Sequence, residues 1–116
     1  STIAYQAGGR GLPVEKVRAL AALALEGFGP DRTFILDIDP VEGLLRSEAR
    51  LAGASAMKEK HEDRFERLDL SFHRALRQAY LDIARAEPER CRIIEGSLEK
   101  DLVTGILERE ILEAIA

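Results

Sequence analysis

Arg46 and Arg50 stand four residues apart. On a helix that spacing puts both guanidinium groups on one face, where the two planar forks could reach a single phosphate group. The same spacing also fits a solvated charged helix, with Glu42, Glu48 and Glu62 as partners. Just upstream, Thr33 to Asp39 reads Thr-Phe-Ile-Leu-Asp-Ile-Asp and runs into Pro40. Its apolar run is too short for a helix and lacks a clean alternation, which predicts a strand covered on both faces, as in a parallel α/β sheet. Asp37 and Asp39 then fall at the strand's C-terminal end, where open α/β sheets bind ligands. Asp39, taken alone, reads first as the N-cap of the helix that follows. Gly8, Gly9 and Gly11 surround Arg10 and place a cation beside exposed backbone amides. Such a turn could hold an anion, but the Gly-Lys-Ser/Thr ending of a phosphate loop is absent and a plain loop explains the glycines as well. His73 has no second His, Cys or acidic partner at ligand spacing, so no metal site is read from the sequence.

Composition narrows the function classes. The 116 residues carry 17 Lys and Arg against 21 Asp and Glu, a net charge of −4. No basic field supports a nucleic-acid partner or an anionic membrane surface. Cys91 is the single cysteine, which excludes an internal disulfide and fits a reducing cytoplasm. No apolar run approaches the roughly 20 residues of a membrane span, and no signal peptide opens the chain.

The elements that must position these residues follow from periodicity. Ser1 to Gly11 reads as a loop. Pro13 opens a helix to about Leu25, with Val14, Val17, Leu20, Ala21, Ala24 and Leu25 on one stripe and Gly27 as its stop. Asp39-Pro40-Val41-Glu42 forms a capping box for a helix through Arg50 that frays near Gly53. Gly53 to Asp63, small and weakly patterned to Met57 and charged from Lys58, reads as an exposed, mobile segment. A second box, Asp63-Arg64-Phe65-Glu66, opens a long helix that carries Phe65, Leu68, Phe72, Leu76, Tyr80, Ile83 and Ala84 inward and ends at Pro88. Arg92 to Ile94 is a short strand. The last helix turns Leu98, Leu102, Val103, Ile106, Leu107, Ile111 and Ile115 inward. Two strands with four to five helices point to α/β architecture with a parallel sheet. Two strands cannot cover that many apolar helix faces, so the expectation is a C-terminal part of one larger domain over residues 1–116.

Ser1-Thr2-x-Ala4-Tyr5-Gln6-x-Gly8-Gly9-Arg10-Gly11-Leu12 closely resembles the substrate-side loop of bacterial thymidylate kinases. The resemblance continues in register through Pro30-Asp31-x-Thr33-x-x-Leu36-Asp37, Gly43-Leu44-x-Arg46, Asp63-Arg64-Phe65-Glu66 and Tyr80-Leu81-x-Ile83-Ala84. It implies a P-loop nucleotide-kinase-like fold and transfer of the γ-phosphoryl of ATP to dTMP with Mg²⁺, in dTTP biosynthesis. By that resemblance Thr2 sits near the thymine edge, Tyr5 packs at the deoxyribose and Gln6 completes the base and sugar contacts. A lid spans about residues 46–64, with Arg46 and Arg50 as phosphate-binding groups and Arg64 as the catalytic arginine. The resemblance admits a homodimer. Ala7 stands where the family commonly has Gly, and the lid from Leu51 to Glu62 is longer than in many relatives. Since the phosphate loop is not among these residues, they are not expected to catalyse transfer alone. The other readings are a kinase for a different nucleoside monophosphate and a non-catalytic helical interaction or regulatory domain.

Overall fold

The computed structural model describes residues 1–52 and 70–116. A π-helical segment, Ile3–Gly9, is followed by α1 (Val14–Leu25), β1 (Thr33–Asp37), α2 (Pro40–Ala52), α3 (Leu70–Ala86), β2 (Cys91–Glu95) and α4 (Lys100–Ile115). The strands pair in parallel, in register from Thr33 opposite Cys91 to Asp37 opposite Glu95. Both therefore end on a carboxylate at the same edge. Parallel pairing requires a crossover, and α2 and α3 lie within it.

α3 is the organising element. It packs against the π-helical segment, both strands and α2. Leu76 and Ala84 are its buried residues, and Ala84 joins Ile35 and Cys91 in the core, with Tyr80 and Ile83 packed against them. These lie on the stripe predicted from spacing.

The strands are fastened at their N-terminal ends as well. Arg90 pairs with Glu87 at 2.8 Å and donates to the Thr33 hydroxyl, so the end of the crossover is tied to the start of β1.

Three expectations differ from the structure. Ser1 to Gly11 is not a loop but a π-helical segment from Ile3. The Arg10 amide donates to the Tyr5 carbonyl at 2.9 Å, closing a wide turn. Small residues permit this, because Ala4 and Ala7 are buried and Gly8 lies directly on Ala79 of α3. Second, β1 is covered on one face rather than two: Ile35 is buried while Leu36 is 54% exposed. Third, the stripes of α1 and α4 are largely uncovered. Only Val17 of α1 is buried and no residue of α4 is, since two short strands offer too little surface.

Asp39 lies beyond β1 and caps α2, its Oδ1 accepting from the Val41 amide at 2.9 Å. The capping box is only half formed, because Glu42 pairs forward with Arg46 at 2.8 Å. At the end of α1 the chain reverses through Glu26 and Gly27, both with positive φ, and the glycine predicted as a stop is where it was placed. Gly53 to Asp63, the second capping box, Phe65, Leu68 and the C-terminal part of the predicted lid lie outside the described residues.

Candidate functional site

Thr2, Tyr5 and Gln6 come together. With Ser1 and Arg10 they line a cavity of about 340 Å³ on the π-helical segment. Wide helical turns redirect side chains relative to an α-helix and recur at functional sites. Here the segment rests on α3, and the Tyr5 ring meets Phe72 at 6.1 Å between centroids, tilted by 50°. Burial, and secondarily the neighbouring Tyr80, push the Tyr5 hydroxyl above its ordinary pKa. Tyr5 is therefore a neutral, fixed aromatic wall at pH 7, suited to reading the shape of a ring rather than to moving protons.

Arg46 lies elsewhere, on α2. Its Nη1 donates to the Gly96 carbonyl at 2.9 Å and its Nη2 to the Ser97 carbonyl at 2.7 Å. The guanidinium thus holds the β2–α4 turn, a contact with residues fifty positions away that helical spacing gives no means of seeing. Gly96 is required there: a Cβ would come within 2.8 Å of the Asp37 carbonyl, which accepts the Gly96 amide at 2.7 Å. Arg50 sits one turn further along α2 and is exposed. Arg64 lies outside the described residues.

The residue that sequence reasoning missed is Arg77. From α3 it grips Asp37 in a two-point fork, Nε to Oδ1 at 2.8 Å and Nη2 to Oδ2 at 2.9 Å. Its Nη1 approaches Asp39 at 3.7 Å. The Asp37 side chain is only 17% exposed. Hydrogen bonding from Arg77 holds the Asp37 carboxyl below the usual range and outweighs the burial that opposes it. A group whose pKa is lowered by folding stabilises the fold above its unfolded pKa, and that stabilisation is lost as pH falls through its folded value. Asp37→Asn should therefore melt below wild type at pH 7. The difference should begin to narrow near pH 4, the ordinary aspartate value, and close only as pH falls further through the lowered folded value. Melting curves of both proteins from pH 7 to 3 check this, and a gap that persists undiminished at pH 3 contradicts it.

Between α2 and α3, at the same edge, a cavity of about 240 Å³ is lined by Asp37, Arg77, Ser47 and His73 among mostly apolar neighbours. Among the described residues, the Ser47 Oγ and His73 Nε2 atoms are buried without a hydrogen-bond partner. Among the described residues no group of three or more His, Cys, Asp or Glu could hold a metal ion. Among them, too, no helix is long and apolar enough to cross a membrane.

A family model described as thymidylate kinase matches residues 1–105. The chain belongs to the thymidylate kinase family. It is 39% identical over 113 residues to the thymidylate kinase of Pelobacter propionicus, covering 97% of this chain and 50% of that protein. Against that of Bifidobacterium longum it is 42% identical over 113 residues, with the same two coverages. Against that of Deinococcus radiodurans it is 38% identical over 116 residues, covering all of this chain and 50% of the relative. The chain thus spans about half the length of the curated relatives it matches. Membership agrees with the α/β arrangement of parallel strands and helices.

Proposed function

We propose that the full-length protein is a dTMP kinase, moving the γ-phosphoryl of ATP to dTMP to give dTDP in the cytoplasm. Residues 1–116 would form the C-terminal part of its single catalytic domain, with a lid at about residues 46–64. The observation that carries this reading is the convergence of Thr2, Tyr5 and Gln6 on one cavity, braced from behind by Phe72. A nucleoside monophosphate fits that chemistry. Tyr5 offers an apolar face to a sugar, Thr2 and Gln6 offer hydrogen bonds to a base, and Arg10 adds a cation beside them.

Phosphoryl transfer needs positioning and charge neutralisation more than covalent chemistry from the protein. The phosphate role expected of Arg46 and Arg50, together with Arg64, would require Arg46 to leave the Gly96 and Ser97 carbonyls that it holds here. The described residues do not supply a metal-ligand set, so no step here runs through Mg²⁺. When bound, Mg²⁺ would offset phosphate charge.

Tyr5→Ala in the full-length protein tests the substrate placement. If the ring excludes a ribose 2′-hydroxyl, its removal should lower the ratio of kcat/KM for dTMP over its ribo-analogue by about tenfold, roughly 1.4 kcal/mol of discrimination. An unchanged ratio would remove Tyr5 from the sugar site.

A further inference from the structure

β1 and β2 end in register on Asp37 and Glu95, and Asp39 follows two residues beyond Asp37. Three carboxylates therefore gather at the C-terminal edge of a parallel pair, where open α/β sheets receive their ligands. For a kinase that edge must admit a polyphosphate, and three carboxylates would repel it. Among the described residues, Arg77 of α3 brings a cation to this cluster from outside the strands. Arg77 forks onto Asp37, approaches Asp39 at 3.7 Å, and its charge is felt at Glu95. Glu95 is otherwise engaged by the Ser97 amide and hydroxyl, neither of which carries compensating charge.

We propose that Arg77 is a positioning residue of the kinase reaction: by neutralising the carboxylates of Asp37 and Asp39 at the C-terminal edge of the sheet, it lets that edge accept the triphosphate of ATP. The proposal rests on the reading of the protein as a nucleotide kinase, and it assigns the residue a role through the acidic cluster rather than through direct contact with a reacting atom. A purely structural fork would act differently. Arg90 supplies the comparison: it pairs with Glu87 at 2.8 Å and with the Thr33 hydroxyl, a similar fork on α3's C-terminal side, but at the opposite end of the same strands. If ion pairing serves only the fold, Arg77 and Arg90 should be interchangeable in their effects.

The test measures ATP dissociation constants by calorimetry on the full-length protein, with melting temperature and dTMP affinity measured in parallel. Arg77→Gln should weaken ATP by about tenfold, the scale expected of one uncompensated charge close to a polyanion. The dTMP affinity should change by less than about twofold. Arg77→Lys, which keeps the charge and loses the fork, should recover most of the ATP affinity. So should the double variant Asp37→Asn/Arg77→Gln, which restores the charge balance. The Arg77→Gln defect should shrink at high ionic strength. Arg90→Gln should lower the melting temperature and leave ATP binding alone.

The proposal is overturned if Arg77→Gln binds ATP within about twofold of wild type. It is also overturned if Arg90→Gln weakens ATP equally, or if neither rescue restores binding. Failure of the thymidylate reading is separate: a wild type that binds ATP but phosphorylates another monophosphate defeats that reading, while the ATP measurements still decide the role of Arg77.

Discussion

Arg64→Ala in the full-length protein should lower kcat by about 100-fold, or roughly 2.7 kcal/mol of barrier, with little change in dTMP affinity or melting temperature. Arg64 lies outside the described residues, and its assignment rests on the Asp63-Arg64-Phe65-Glu66 motif that resembles the family's lid. The physical reasoning is that charge develops on the transferring phosphoryl, and a fixed guanidinium stabilises that charge more than it stabilises the bound substrates. A loss confined to kcat is the signature of such an interaction. Arg64→Lys should recover only part, because a point charge cannot reproduce the planar fork. The same four residues also read as a capping box, in which Arg64 would be a solvent-facing residue. Its replacement would then change stability by no more than about 0.5 kcal/mol and leave turnover alone. Asp63→Ala separates the two, since loss of a cap costs about 1 kcal/mol of stability. A kcat for Arg64→Ala within about threefold of wild type returns the residue to the capping reading, because threefold is under 1 kcal/mol.

Gly8→Ala should destabilise the full-length protein by about 1–3 kcal/mol, a fall of several degrees in melting temperature for a domain of that size. The cause is a close approach rather than backbone strain. A Cβ at Gly8 would overlap the Ala79 methyl, and the α3 backbone lies just behind it. Neither atom is the free end of a flexible side chain, so the π-helical segment must move off α3. That segment carries Tyr5 and Gln6, so KM for dTMP should rise together with the loss of stability. Gly9 faces the Phe72 ring, against which Tyr5 also packs, so the substrate wall and the close approach share one surface. Ala79→Gly in the Gly8→Ala background should recover part of the stability, offset by about 1 kcal/mol for glycine within a helix. Equal melting temperatures for wild type and Gly8→Ala would contradict this packing.

Local chemistry made much of the fold legible in the sequence. The apolar run from Thr33, the Asp39 cap with Pro40 behind it, and the stripe from Phe72 to Ala84 each follow from short-range rules, although the strand stops at Asp37, two residues before the Asp39 end expected of it. The first segment was not legible as helix, because three glycines in four residues disfavour one locally. It forms against α3, about seventy residues later in the chain, where small residues let two backbones meet. The stripes of α1 and α4 were legible as apolar, yet their burial depends on surface that these two strands do not provide. In the candidate site, the grouping of Thr2, Tyr5 and Gln6 was indicated only by resemblance, since their spacing alone reads as a glycine-rich turn. Arg77 gave no local signal at all. Its partner Asp37 lies forty residues away, and a lone arginine on an amphipathic helix looks like surface charge. The Arg46 contact with the β2–α4 turn was hidden for the same reason, its nearest visible partner being Glu42 one turn back.

The purified full-length protein can be presented with ATP and, separately, dTMP, UMP and AMP, and nucleoside diphosphate formation followed. dTDP should be the main product, with kcat/KM for dTMP at least about tenfold above that for UMP or AMP, matching the discrimination assigned to the Tyr5 cavity. Preferential phosphorylation of UMP or AMP, or no phosphoryl transfer to any of the three by a folded protein, would contradict the dTMP kinase assignment.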